Sequence, residues 1–110
     1  MSKETTARIR ALNDELRVNN RGGTVLLTRG IVDQSLIFAV KCRAAVARHN
    51  NFAAENDPYD EHDFGSVEVG PQRIFWKIDY YDLEKVCGSP DPSNPAVTSR
   101  VLTIMLSQEY

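Results

Sequence analysis

From Ile74 to Tyr81 the chain alternates: Ile74, Trp76, Ile78 and Tyr80 on one parity, Phe75, Lys77, Asp79 and Tyr81 on the other. A period of two marks a strand with one face against a core. Val67 and Val69 carry the same signal upstream, so the two segments read as a β-hairpin. Setting both valines on the Ile74/Trp76 face pairs Val69 with Ile74 and Val67 with Trp76, with Gly70-Pro71-Gln72-Arg73 as the loop. A slip of a single residue would turn the valines to the wrong side. Trp76 is then expected to be buried. The opposite face carries Phe64, Ser66, Glu68, Phe75, Lys77, Asp79 and Tyr81, with Glu68 and Lys77 as a diagonal ion pair. The same register, extended, sets His62 across from Tyr81 and beside Asp79.

The remaining elements follow from periodicity and punctuation. Ile9, Leu12 and Leu16 recur at helical spacing, so a helix is expected from Thr5 to Val18, with Arg8, Arg10, Asp14, Glu15 and Arg17 on the wetter faces. Asn19, Asn20, Gly22 and Gly23 end it. Thr24 to Thr28 is a short apolar run bounded by glycines, the pattern of a strand buried on both faces. A second helix is expected from Asp33, as N-cap, to Arg48, with Gln34, Lys41 and Arg48 outward and Leu36, Ile37, Val40, Ala44 and Ala47 inward. Asp82 to Asn94 reads as loop. Asn94-Pro95 resembles a cap followed by proline at the first helical position, and Val97, Val101, Ile104 and Met105 then recur at helical spacing. Arg100 to Leu106 is also β-branched enough for a strand; helix is the reading adopted. The expected fold is a single α+β domain over residues 1–110, ordered α-β-α-β-β-α, with a small sheet packed by helices on one face.

The 110 residues are 42% hydrophobic and 25% charged, values of an ordinary globular domain. A formal charge of −2 provides no global basic field for nucleic acid. Arg8, Arg10, Arg17, Arg21 and Arg29 cluster early, but without interleaved aromatics they read as helix solvation rather than a nucleic-acid face. Cys42 and Cys87 lie far apart with no partner at metal-ligand spacing, so reduced thiols are expected, Cys42 in the core. No apolar run approaches the ~20 residues of a membrane span, and the first residues lack a signal-peptide core; a cytoplasmic protein is expected.

Chemistry concentrates in two places. The turn from Glu55 to Asp63 holds Asp57, Tyr59, Asp60, Glu61, His62 and Asp63. Carboxylates with an imidazole suit a divalent metal or an acid–base pair, whereas Asn56, Asp57 and Pro58 are turn formers that hydrogen-bond local backbone. The spacing matches no known metal loop, and no metal or cofactor is expected. The second place is the hairpin face of His62, Lys77, Asp79 and Tyr81, which reads as a cross-strand polar network before it reads as a catalytic one. No nucleophile elbow and no phosphate loop is present in the sequence.

The motifs NDPYDEHDFG (56–65), FWKIDYYD (75–82), LLTRG (26–30) and the terminal TSRVLTIMLSQEY resemble a small bacterial family known as a domain of unknown function. The likeness runs from Ile9 to Tyr110. Members of that family often sit on plasmids and other mobile DNA. The resemblance implies a cytosolic bacterial protein with accessory ties, and carries no catalytic residues. Where the family usually has glycine, this chain has Asp60, a residue that tolerates left-handed backbone. The expectation is a non-enzymatic module binding a macromolecular partner, a protein, through Asp57, Tyr59, Asp60, Glu61, His62, Asp63, Lys77, Asp79 and Tyr81. The alternative is a small metal-assisted hydrolase or nuclease using His62, Asp63 and Asp79.

Overall fold

Helix α1, Lys3–Asn19, starts where the Ser2 hydroxyl accepts the Thr5 N–H and stops at Asn20, whose φ of 58° is left-handed. The structure, a computed structural model, describes residues 2–110. Strand β1 is Thr24–Leu27 and a single turn, α2, is Arg29–Val32. Helix α3, Leu36–Arg48, precedes strands β2, Phe64–Val69, and β3, Gln72–Tyr81. A 3-10 turn at Pro95–Val97 leads into β4, Ser99–Leu106, and a second one follows at Ser107–Glu109. The four strands form one sheet in the order β1-β4-β3-β2, with β1 parallel to β4 and the other pairs antiparallel. The fold is α+β, as expected, but its order is α-β-α-α-β-β-β.

The largest departure is at the C-terminal end, where a strand replaces the expected helix. β4 lies between β1 and β3, and Val101, Leu102, Ile104, Met105 and Leu106 are all buried. A run that is apolar at nearly every position fits a period of 3.6 as well as it fits a doubly buried strand, so the helical spacing was not diagnostic. Asn94 still caps through its side chain, accepting the Ala96 N–H, with Pro95 following, but it starts only a 3-10 turn. Conversely β1, expected to be buried on both faces, is an edge strand whose Leu26 is half exposed.

The second expected helix begins later than expected, and the unexpected single turn α2 precedes it. Ser35, not Asp33, is the N-cap: its extended backbone and hydroxyl, which accepts the Phe38 N–H, fix the start of α3 at Leu36. That phase turns Cys42 and Val46 inward with Phe38, Ala39 and Ala45. Leu36 and Ile37, expected to face the core, are 80% and 69% exposed, and Val40 is exposed beside them.

The hairpin keeps its predicted face and changes its register. Val67 pairs with Ile74 and Val69 with Gln72, leaving only Gly70 and Pro71 in the turn. Gly70 has a φ of 60°, the sign required at the first position of a II′ hairpin turn, and proline's fixed negative φ suits the second. Trp76 is fully buried, as expected, within a core that includes Leu16, Ile31, Val46, Ile74, Leu102 and Ile104. Gly65 stands opposite Trp76. A Cβ there would come within 2.4 Å of the indole nitrogen and 2.5 Å of His49, so the close approach requires glycine. Cys42 and Cys87 are both free, and Cys42 is buried as expected. Among the described residues no helix is long and apolar enough to cross a membrane.

Candidate functional site

The stretch from Asn50 to Asp63 has no helix or strand, so its backbone groups need other partners. Asn56 accepts the Ala53 N–H and donates to the Asn51 carbonyl. Buried Asp57 accepts the N–H groups of Glu61 and His62 at 3.2 and 3.1 Å, closing a tight acidic turn. Asp60 and His62 both take left-handed backbone, φ 58° and 54°, so the aspartate is accommodated where the sequence reading anticipated it. The turn is then fastened to α1 at three successive points. Arg10 donates to the Asp60 carbonyl and carboxylate, Asn13 to the Glu61 carbonyl, and His62 Nδ1 sits 2.9 Å from Asp14 Oδ1.

Beneath the turn lies a stack of rings. Phe52 is sandwiched between His49 and His62, with centroid distances of 4.8 and 3.7 Å. Trp76 donates its indole N–H to His49 Nδ1, so His49 Nε2 carries the hydrogen and donates to the Asn51 carbonyl. A second buried network joins α1 to the sheet: Arg100 donates to Asn13 Oδ1, and Asn13 donates to the Tyr80 hydroxyl, which donates to Glu61. Arg100 also donates to the Pro92 carbonyl and lies over the Tyr80 ring. Burial raises the Tyr80 pKa and lowers that of Arg100.

The open face of the sheet carries a different set of residues. A groove of about 400 Å³ runs between the turn and β3, lined in part by Tyr59, Asp63, Phe64, Lys77, Asp79 and Tyr110. Lys77 and Asp79 pair at 3.0 Å, and this bond is the main cause holding the lysine above its ordinary pKa. Burial raises the Asp63 carboxyl, and the charges of Glu61, Asp57 and Asp79 push the same way. Tyr110 packs against Phe64 and Phe75, with both centroid distances 5.4 Å, at the end of the groove.

Thus the predicted residues separate into two groups. Tyr59, Asp63, Lys77 and Asp79 meet at the groove, and Tyr81 shares the strand face of Lys77 and Asp79 without lining it. His62 meets α1 through Asp14, Glu61 accepts the Tyr80 hydroxyl and Asp57 holds the turn's own backbone, while Asp60 is exposed and paired with Arg10. His62 therefore does not sit beside Asp79 as the expected register had it. Its left-handed backbone ends the strand pattern and turns the ring onto Phe52, and the trio His62, Asp63 and Asp79 is not assembled. Glu68 pairs with Arg73, its cross-strand neighbour, rather than with Lys77.

The sequence reading missed Asn13 and Arg17, assigning the arginine to a wet face. Both are buried, Asn13 fully, and the spacing Ile9, Asn13, Leu16, Arg17 does place them on the core side of α1. The remaining early arginines are largely paired: Arg10 with Asp60, Arg21 with Glu15 and Arg29 with Asp33. Among the described residues, Asp57, Asp60 and His62 have donor atoms close enough to share a metal ion, all within 4.8 Å of one another.

A four-stranded mixed sheet with helices on one face and an acidic turn locked to α1 defines a small α+β domain with a groove of mixed lining on its open side. The chain belongs to the family DUF3768, described as a protein of unknown function, which matches residues 5–109. No curated protein and no solved structure matches the chain.

Proposed function

We propose that this protein is a non-enzymatic accessory module that binds a protein partner through the groove between the acidic turn and the open sheet face. The observation that carries the reading is the juxtaposition of Tyr59 and Tyr110, 73% and 72% exposed, around the Lys77–Asp79 pair and the half-buried Asp63. Rigid tyrosines flanking fixed charges are the composition of a protein-recognition hot spot, since tyrosine offers apolar area and a hydroxyl at small entropic cost. Two of the candidate acid–base side chains have structural partners. His62 is bonded to Asp14 and stacked on Phe52, and Lys77 is held protonated by Asp79. Pairing of Arg10, Arg21 and Arg29 with carboxylates disfavours nucleic acid as the partner. A bacterial, cytoplasmic setting with ties to mobile DNA accords with the motifs of the chain and belongs to this reading.

Affinity capture from a bacterial lysate tests it, with Tyr59→Ser and Lys77→Glu compared against the parent and against Leu36→Ser on the far helix. The reading predicts that the groove variants lose a partner that the Leu36 variant keeps. A partner captured equally by all would remove the groove from the account.

A further inference from the structure

We propose that Asp57, Asp60 and His62 form a binding site for a divalent transition ion of the zinc type, on the helix side of the acidic turn and distinct from the groove. The site begins with an orphan. The Asp57 side chain is 2% exposed, and while its Oδ1 accepts two backbone N–H groups, its buried Oδ2 has no hydrogen-bond partner. A buried carboxylate oxygen left without a donor is costly, and such groups call for a ligand.

That oxygen lies 3.7 Å from His62 Nε2. The separation is too long for a hydrogen bond and right for two ligands sharing one ion, since metal–ligand bonds of about 2.1 Å at tetrahedral to trigonal angles place donors roughly 3.4–3.7 Å apart. A carboxylate oxygen of Asp60 completes a set in which all donors lie within 4.8 Å of one another. Arg10 already engages Asp60 Oδ2, but a carboxylate has lone pairs enough to serve an arginine and an ion together.

The imidazole is oriented for the task. Asp14 Oδ1, 2.9 Å from His62 Nδ1, holds the hydrogen on that nitrogen and leaves the Nε2 lone pair facing Asp57. A carboxylate behind a ligating histidine is the usual outer support of a metal site, fixing the tautomer and raising ligand basicity. Phe52, stacked 3.7 Å from the ring, prevents it from swinging away. One nitrogen and two carboxylate ligands favour zinc and its neighbours over calcium or magnesium, which take oxygen alone. Asp57 and Asp60 also line a cleft of about 270 Å³ with Phe52, Ala53, Ala54 and Pro58, through which an ion and its remaining water can enter.

Titration calorimetry of the full chain with Zn²⁺, and separately with Mg²⁺, tests the site, alongside long-range ¹H–¹⁵N spectra of both histidines. The expected result is one saturable Zn²⁺ site, with Mg²⁺ binding far weaker. His62 Nε2 should shift on metal addition, while Nδ1 stays protonated and His49, whose nitrogens are occupied by Trp76 and Asn51, does not move. Asp60→Asn, at an exposed position, should weaken Zn²⁺ by tenfold or more, and Asp14→Asn by about 10- to 100-fold. No saturable Zn²⁺ binding, binding unchanged in Asp60→Asn, equal affinity for Mg²⁺, or a shift at His49 instead of His62 would each overturn the proposal.

Discussion

Arg17 and Arg43 each close the helix to which the other belongs. Arg17 of α1 donates to the carbonyls of Val46, Ala47 and His49 at the end of α3, and Arg43 of α3 donates to the carbonyls of Leu16 and Arg17 at the end of α1. Terminal helix carbonyls lack intrahelical partners and carry partial negative charge, so a guanidinium satisfies them both sterically and electrically. Arg17 is 3% exposed and also lies over the Phe52 and Trp76 rings at 5.2 and 5.3 Å.

Arg17→Ala would strip the guanidinium from these carbonyls, of which Val46 alone keeps a bond from the His49 N–H, and should cost about 3 kcal/mol in urea denaturation. Arg17→Lys should recover less than half of it, because one ammonium cannot reproduce a planar fork set against two aromatic rings. Full recovery by lysine would mean that charge alone, and not the fork, closes α3.

Gly65 leaves the space in which Trp76 and His49 meet at 3.1 Å. Gly65→Ala should overpack this point and cost about 1–3 kcal/mol, with a changed near-ultraviolet dichroism of Trp76. Stability and spectrum both unaltered would contradict the close approach.

These two sites also show what was legible from sequence. The buried face of the hairpin was readable because parity survives a shift of two residues; the register was not, because that same shift preserves parity. Val67 therefore remained inward while its partner changed from Trp76 to Ile74. β1 lies at an edge and the segment expected as a helix is the interior strand β4, because an apolar run does not say whether one or two strands will flank it. In the candidate site, the acidic turn was visible as a cluster of turn formers and carboxylates. Its division between the groove and α1 was not, since that depends on the left-handed backbone at His62 and on Asn13 and Asp14, more than forty residues away in the chain.

Glu109 ties the chain's end to the start of α2. Its carboxylate accepts the Thr28 hydroxyl at 2.6 Å and the N–H groups of Leu106 and Gly30 at 2.8 and 3.1 Å. The Thr28 bond, then the backbone bonds, hold its pKa below the ordinary 4.5. A depressed folded pKa stabilises above the unfolded value and ceases to do so as pH falls through the folded one. Glu109→Gln should thus be less stable than the parent at about pH 7, and the gap should close below about pH 4. A gap independent of pH in parallel denaturant titrations would assign the effect to packing.

The buried chain from Arg100 through Asn13 and Tyr80 to Glu61 makes α1, the sheet and the acidic turn one polar unit. Asn13→Ala removes its centre, leaving Arg100 Nε and the Glu61 carbonyl without their partner, and should cost about 2–4 kcal/mol. Hydrogen exchange should quicken at Glu61 and His62 along with α1 if the unit is real. Exchange confined to α1 would show that the turn stands alone.

Under the proposed function the groove, not the apolar side of α3, meets the partner. Replacing Tyr59 with a photo-cross-linking phenylalanine analogue in cells of the native host, and in a second strain replacing Leu36, compares the two surfaces directly. Both residues are largely exposed, at 73% and 80%, so either position accepts the probe without disturbing the core. The account predicts a discrete light-dependent adduct from position 59 and none from position 36. A discrete adduct from position 36 with none from position 59 would contradict it.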